Sequence, residues 1–230
     1  MKISIIIPVY NECRTVLQVI ERVMAVDLEK ELIVVDDGSS DGTRELLREQ
    51  LDGRYANLRI VYRAANGGKG AALREGFALA RGDVLVVQDS DLEYDPVDIP
   101  ALVAPITAGH ADAVYGTRYS GGLPQRVHLF WHLMGNKLIS GFADLLFNAT
   151  LSDIETGYKA IRRELLQRIP LRSSGFAIEA ELTAKILKTH CRVYEIPIHY
   201  YGRDYSEGKK IRWTDGVWAL LTLLRYRFRD

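Results

Sequence analysis

The chain has only two cysteines, no long apolar run and no net charge, and each of these shortages excludes a class of protein. Cys13 and Cys191 lie far apart in sequence, which excludes a disulfide framework and predicts a reducing, cytoplasmic environment. The apolar run at residues 3–7 is too short for the core of a signal peptide, and no run reaches the roughly 18 apolar residues that span a bilayer. Because thirty basic residues balance thirty acidic ones, the composition argues against nucleic acid as a partner.

The first 120 residues alternate short apolar runs with segments in which apolar residues recur every three to four positions. The runs are typical of strands covered on both faces, and they predict strands at residues 3–9, 31–36, 58–62, 83–88 and 113–116. The segments between them predict helices at residues 13–25, 43–51, 68–80 and 96–108. We therefore expect βαβ units in a mainly parallel sheet, with ligands bound beyond the carboxyl ends of its strands.

The second half of the chain has a different pattern. It predicts helices at residues 128–147 and 178–188, a strand at 192–200, a polar basic loop at 202–210 and a last helix at 213–228. Along this last helix apolar residues recur at three-to-four spacing, namely Trp213, Val217, Leu220, Leu221 and Leu224. Three arginines, Arg225, Arg227 and Arg229, follow them in the sequence. Such a helix either lies in a lipid interface or packs on the sheet and completes the core.

Three alternate carboxylates, Asp89, Asp91 and Glu93, follow the predicted strand at residues 83–88. In an extended segment such residues point to one side, and oxygen ligands of this kind suit Mg²⁺ or Mn²⁺ with phosphate oxygens in the open positions. The alternative is a capping turn ahead of a helix that begins near Pro96, with Asp91 or Asp95 as the cap.

Two glycine-containing turns supply further polar groups at predicted strand ends. Asp36 and Asp37 open the turn at residues 36–43, and a carboxylate there suits hydrogen bonds from a nucleobase or ribose. Residues 66–70 open a helix, where backbone N–H groups and the Lys69 ammonium suit a phosphate.

Taken in order, these motifs resemble the family 2 glycosyltransferases, and most closely their dolichyl- or polyprenyl-phosphate sugar synthase branch. The resemblance spans nearly the whole chain. Its segments are IIIPVYNE (5–12), VVDDGSSDGT (34–43), NGGKGAALREG (66–76), VVQDSDLEYDP (86–96), YGTRY (115–119), LSDIETGYKAIRR (151–163) and YGRDYSEGKKIRW (201–213).

The resemblance implies an α/β GT-A fold: a Rossmann-like, mainly parallel sheet flanked by helices, with a C-terminal amphipathic helical extension. It divides the chain into a nucleotide-sugar transferase domain at residues 1–200 and a basic loop with an amphipathic helix at 201–230. By matching positions, it assigns site residues to four groups: Pro8, Tyr10, Glu12 and Asp37 to the nucleotide; Asp89, Asp91 and Glu93 to the metal and diphosphate; Arg118 to the reacting phosphate; and Lys209 and Lys210 to a basic loop that closes over the substrates.

The implied reaction moves a hexose from a nucleotide diphosphate sugar, of the GDP-mannose or UDP-glucose type, to a polyprenyl phosphate, with inversion and with Mg²⁺ or Mn²⁺. A phosphate monoester, with its second pKa near ~6, is already ionised at neutral pH and needs no general base. A sugar hydroxyl is the alternative acceptor, and it needs a carboxylate base, for which Glu179, Glu181 or Asp153 would serve. A nucleotidyltransferase and an inactive binding module are weaker alternatives. A lipid acceptor predicts a cytoplasmic protein, peripheral on the membrane surface.

Overall fold

The computed structural model describes residues 1–119, 121–122, 130–203 and 213–229. Within these ranges, seven strands form one sheet in the order β3-β2-β1-β4-β6-β5-β7. The strands are β1 (Ile3–Val9), β2 (Lys30–Asp36), β3 (Leu58–Tyr62), β4 (Val84–Val87), β5 (Ala113–Thr117), β6 (Lys159–Arg162) and β7 (Val193–Pro197). All pairings are parallel except those of β6, which runs antiparallel to β4 and β5. The predicted mainly parallel sheet is confirmed.

Helices cover both faces of the sheet because successive strand residues point to opposite faces. In β1, Ile5 and Ile7 pack with α1, α2 and α4, whereas Ile6 packs in the cluster that contains α3, α5, α6, α7 and α8. These helices are α1 (Val16–Ala25), α2 (Thr43–Leu51), α3 (Lys69–Leu79), α4 (Ile99–Thr107), α5 (Phe130–Phe147), α6 (Arg163–Gln167), α7 (Ile178–Lys188) and α8 (Trp213–Phe228).

The segment predicted as one helix at residues 96–108 is divided into a 3₁₀ turn at Pro96–Asp98 and α4. Proline favours the first turn of a helix, and one stands at the start of each part. The Asp95 carboxylate accepts a hydrogen bond from the Val97 N–H at 3.1 Å. Asp95 is therefore the cap of this segment, and Asp91 is available for another role.

Strand β6 and helix α6 were not predicted from the sequence. Since β6 is antiparallel to β4, with Val86 opposite Ala160, its first residue lies beside the end of β4. The residues that lead into β6 consequently reach the edge of the sheet where β4 and β5 end. This reversal places residues 153–158 at the edge where ligands of parallel sheets bind.

Helix α8 packs against α5 and α7 through Ala219, Leu223 and Tyr226, which are buried. The core-packing alternative is therefore wrong for most of the predicted stripe of α8: Leu220 packs against the core, but Val217, Leu221 and Leu224 are exposed. Its other face leaves Trp213, Trp218 and further large apolar side chains exposed. No helix within the described ranges has both the length and the apolar composition needed to cross a bilayer.

Candidate active site

The predicted nucleotide residues lie where β1 and β2 end. Pro8 is inside β1, and its carbonyl accepts a hydrogen bond from the Ser90 hydroxyl at 3.0 Å, which joins the ends of β1 and β4. Tyr10 is exposed at the edge of the sheet. The Glu12 N–H donates to Thr43 Oγ1 at 3.0 Å, which ties this turn to the start of α2.

Asp37 organises the glycine turn at the start of α3. Its buried carboxylate accepts hydrogen bonds from the Gly67 and Gly68 N–H groups at 3.0 and 2.7 Å, and it pairs with Arg63. Gly38 follows with a φ of +75°, and a Cβ there would stand 2.7 Å from the Asn66 nitrogen. Glycine is therefore required where these two turns meet.

Two cationic side chains form ion pairs with the predicted metal carboxylates. Arg203 Nη2 lies 2.8 Å from Asp91 Oδ2, and the Arg203 N–H donates to Glu93 Oε1 at 2.9 Å. Lys69 Nζ lies 2.8 Å from Asp89 Oδ1. In the part of the chain that the structure describes, no three acidic, His or Cys side chains are grouped as ligands of one ion.

The chemistry of these carboxylates nevertheless suits a hard divalent cation. Burial, together with the negative charges of Asp89 and Glu93, raises the pKa of Asp91 to about 7, against the opposing charge of Arg203. Close carboxylates of this kind repel one another unless a cation joins them. The residues present thus offer oxygen donors and a local excess of negative charge, as Mg²⁺ and Mn²⁺ require.

A buried row of alternating charges extends from Asp89 into the fold. Lys69 bridges Asp89 and Glu179, at 2.8 and 3.0 Å, and Glu179 also pairs with the fully buried Lys159. Burial alone would lower the pKa of Lys69, but the charges of Asp89 and Glu179 outweigh it and raise that pKa. Lys69 therefore stays charged at the edge where a diphosphate is expected.

Arg118 follows β5 and is fixed by Asp153. Its Nε and Nη2 atoms donate to the two oxygens of that carboxylate at 2.6 and 2.7 Å, and its backbone N–H donates to the same group at 3.2 Å. The guanidinium also lies 5.0 Å from the centre of the Tyr200 ring and 5.5 Å from that of Tyr119. A bidentate pair of this kind sets the orientation as well as the charge of the arginine.

All three candidate bases take part in buried ion pairs. Asp153 binds Arg118, and Glu179 binds Lys69 and Lys159. Burial would raise the pKa of Glu179, but the two lysines outweigh it and lower that pKa. Glu181 pairs with Lys185 at 2.7 Å and accepts hydrogen bonds from the N–H groups at residues 172 and 173. Each of the three carboxylates thus has a structural partner.

Two charged residues of this edge, Arg203 and Lys159, were not predicted as site residues. Arg203 belongs to the matched segment at 201–213 but was counted only as part of a basic loop, and Lys159 was assigned no role. The pairing of Lys159 with Glu179 has no signal in a sequence window, because the two residues are 20 positions apart. Lys209 and Lys210 lie outside the described residues.

The comparisons identify the class of protein. The chain matches the model of glycosyl transferase family 2 over residues 4–170, and it belongs to that family. It is 33% identical over 211 residues to the polyprenol monophosphomannose synthase of Mycolicibacterium smegmatis, covering 89% of this chain and 79% of that protein. It is also 33% identical over 217 residues to the dolichol-phosphate mannosyltransferase of Pyrococcus furiosus, covering 91% of this chain and 59% of that protein. The chain thus spans less than two thirds of the second relative.

Solved structures agree with this assignment. One of glucosyl-3-phosphoglycerate synthase from Mycobacterium tuberculosis superimposes with a TM-score of 0.72 at 27% identity, covering 100% of this chain and 82% of that one. Another structure of that enzyme, in complex with Mg²⁺ and uridine diphosphate, gives a TM-score of 0.70 at 25% identity, covering 98% and 79%. These neighbours have the GT-A fold. The predicted fold, family and glycosyltransferase activity are confirmed.

Proposed function

We propose that this glycosyltransferase moves a hexosyl group from a nucleotide diphosphate sugar to a polyprenyl phosphate. The observation that carries the proposal is the fixed guanidinium of Arg118 at the end of β5, held by Asp153 beside two tyrosine rings. A cation held in this way suits an acceptor that is already an anion. Two relatives named for transfer of mannose to polyprenol or dolichol phosphate support the same acceptor class.

The arrangement suits a single displacement. An oxygen of the acceptor phosphate, oriented by Arg118, attacks the anomeric carbon of the donor as the bond to the nucleoside diphosphate breaks. The configuration at that carbon inverts, and the electron pair leaves with the diphosphate. Lys69 and the predicted loop residues Lys209 and Lys210 add positive charge to the phosphates. No proton has to be removed from the nucleophile, since a phosphate monoester is ionised at neutral pH.

The same proposal assigns a divalent cation to Asp89, Asp91 and Glu93. When bound, Mg²⁺ or Mn²⁺ supplies charge that stabilises the leaving diphosphate. The neighbour solved with Mg²⁺ and uridine diphosphate supports this assignment, and Pro8, Tyr10, Glu12 and Asp37 would then line the nucleotide side. The Asp91→Asn variant is expected to keep its fold and lose Mn²⁺-dependent donor binding in calorimetry. Unchanged donor affinity would contradict the metal assignment.

We also propose that the protein binds the cytoplasmic face of a membrane, with α5 and α8 in the interface. The two helices pack on each other, and both carry exposed large apolar residues, among which Trp131 is 80% and Trp213 is 81% exposed. Exposed aromatic groups of this kind are typical of interaction surfaces. Residues 1–200 would hold the transfer site, and residues 201–230 would add the basic loop and α8.

The test is an assay with the full chain, GDP-mannose or UDP-glucose, a short polyprenyl phosphate and Mn²⁺, with the glycolipid identified by mass spectrometry. Arg118→Ala is expected to lose ~10²-fold or more in rate, the scale of a missing stabilising donor. Arg192→Ala is a matched control, because Arg192 makes a similar bidentate pair with Asp112 at the opposite end of β5 and β7. That variant is expected to keep its rate.

Transfer of the hexosyl group to a sugar hydroxyl, without transfer to the polyprenyl phosphate, would contradict the proposed acceptor. Nucleotide transfer would indicate a nucleotidyltransferase, and donor binding with no turnover of any acceptor would indicate a binding module.

A further inference from the structure

Arg203, which follows the edge strand β7, places its guanidinium among acidic side chains. Its guanidinium contacts three carboxylates at once: Asp91 Oδ2 at 2.8 Å, Glu12 Oε1 at 3.3 Å and Glu93 Oε1 at 3.6 Å. Its side chain is 18% exposed, and the three carboxylates are 7–19% exposed. These carboxylates come from the ends of β1 and β4, so a single cation joins two turns of the predicted donor site.

The Arg203 guanidinium does not form a full set of close contacts with these carboxylates. Arg203 Nε is buried and makes no hydrogen bond among the described residues, although it lies 3.6 Å from Glu93 Oε1. Both contacts with Glu12 are long, at 3.3 and 3.4 Å. One positive charge faces three carboxylates, which leaves a negative excess. A cation of higher charge therefore has an electrostatic advantage over Arg203 at these same oxygens.

We propose that Arg203 is an internal counter-ion that competes with the divalent cation for Asp91 and Glu93, two of the three carboxylates assigned to the metal. The inference rests on the proposed metal site. In the donor-free protein Arg203 holds these carboxylates together and lowers their affinity for a metal ion. With metal and diphosphate both bound, the diphosphate would supply further oxygen ligands to the ion, and Arg203 would release Asp91 and Glu93. The metal and the donor are therefore expected to bind together more tightly than the metal alone.

The size of the effect follows from competition between two states. When only a fraction of the protein has its site available, the apparent affinity falls by that fraction. If Arg203 occupies the carboxylates in about nine molecules of ten, its removal should strengthen Mn²⁺ binding about tenfold. An arginine that only stabilised the fold would produce no gain of metal affinity when removed.

The experiment is a Mn²⁺ titration of the full chain without donor, in which electron paramagnetic resonance measures the free ion. Arg203→Gln is expected to bind Mn²⁺ about tenfold more tightly than the wild type, and Arg203→Lys is expected to lie between them, since an ammonium bridges fewer carboxylates. Arg192→Gln is the matched control and should bind as the wild type does. Circular dichroism melting of each variant establishes that it is folded.

Two results would overturn the proposal, and they are distinguishable. Equal or weaker Mn²⁺ binding by Arg203→Gln, with binding still lost in Asp91→Asn, rejects the competition and leaves the metal site in place. Mn²⁺ binding that survives Asp91→Asn rejects the metal site itself, and the competition with it.

Discussion

Gly157 lies so close to Asp89 that a Cβ atom at this position would stand 2.2 Å from Asp89 Oδ2. The same atom would lie 2.9 Å from Cε2 of Tyr94, whose hydroxyl accepts a hydrogen bond from the Gly157 N–H at 2.9 Å. A Cβ atom at this position would therefore force the Asp89 carboxylate or the Tyr94 ring to shift, because the segment that enters β6 passes directly beside the carboxylate that follows β4. At Gly157 and Asp89, the segment that enters β6 contacts the acidic segment that follows β4.

The first prediction concerns this contact. Gly157→Ala is expected to push the Asp89 carboxylate away from Lys69 and to weaken donor binding about tenfold or more, measured by calorimetry with Mn²⁺. The control is Gly141→Ala, since a Cβ at that exposed position of α5 meets nothing within 4 Å. The control should bind donor normally and melt at the same or a slightly higher temperature, because alanine favours a helix over glycine. Normal donor affinity in Gly157→Ala would show that Asp89 tolerates displacement.

A second prediction separates a structural carboxylate from a general base. Glu181→Gln breaks a buried ion pair with Lys185 and is expected to cost about 3 kcal/mol of unfolding free energy. The turnover number should stay within about threefold of the wild type, since loss of a general base costs ~10²-fold or more. Urea unfolding and a saturation assay give the two quantities. A large loss of turnover with unchanged stability would favour a hydroxyl acceptor.

The third prediction is a dependence of stability on pH that originates at Glu155. Burial, together with the negative charges of Glu179 and Asp153, raises the pKa of this carboxyl to about 7, against the opposing charges of Lys159 and Arg118. Its Oε1 atom is buried and makes no hydrogen bond in the described part of the chain. The ordinary value is 4.5, so the folded protein binds a proton more tightly than the unfolded chain between about pH 4.5 and 7. This contribution to stability is full below that window and is lost as the pH rises through it.

Glu155→Gln removes the ionisable group and should abolish this dependence. A shift from 4.5 to about 7 corresponds to at most about 3 kcal/mol. The variant is therefore expected to exceed the wild type in unfolding free energy by about 1–3 kcal/mol at about pH 8, and to match it near pH 4.5. Urea unfolding at both pH values measures this, with the exposed Glu164→Gln as a control that changes stability by less than about 0.5 kcal/mol. The same difference at both pH values would argue against titration of Glu155.

A fourth prediction tests the membrane surface. The full chain should co-sediment with anionic vesicles more than with neutral ones, and high salt should release it. Changing Arg225, Arg227 and Arg229 together to Gln should weaken binding to the anionic vesicles. Trp131→Ala and Trp213→Ala should weaken binding to both kinds of vesicle, whereas Tyr194→Ala, which alters an exposed tyrosine of β7, should not. Absence of binding to either vesicle would contradict the membrane proposal.

The sequence predicted the elements that have a strong period or a buried apolar run. Strands β1 and β3 and helices α2, α7 and α8 agree with the structure to the residue, because a continuous apolar run or a three-to-four spacing determines each of them. It also predicted that acidic residues follow β2 and β4 at one edge of the sheet. These features are local, so a short window of sequence contains them.

What it did not predict depends on pairs of residues that are distant along the chain. Strand β6 has four residues, and its first is a charged lysine that is fully buried. A buried lysine contradicts the pattern of a core strand unless its partner, here Glu179, is known. The bidentate hold of Asp153 on Arg118 and the bridge of Arg203 to Asp91 are likewise long-range contacts. The sequence identified most of these residues as polar groups of the site without indicating which pairs would form.

The antiparallel placement of β6 also determines the order in which the sheet can be completed during synthesis. Strands β1 to β4 have all their mutual partners within residues 1–87, whereas the described neighbours of β5 in the sheet are β6 and β7. At roughly 5–20 residues per second, the ribosome takes about 2–9 seconds to proceed from the end of β5 to the end of β6. Throughout that interval β5, whose five residues are all buried in the finished protein, has neither of its neighbours. An unpaired apolar strand is a template for pairing with another chain, so the nascent protein is exposed to aggregation through β5 during this interval.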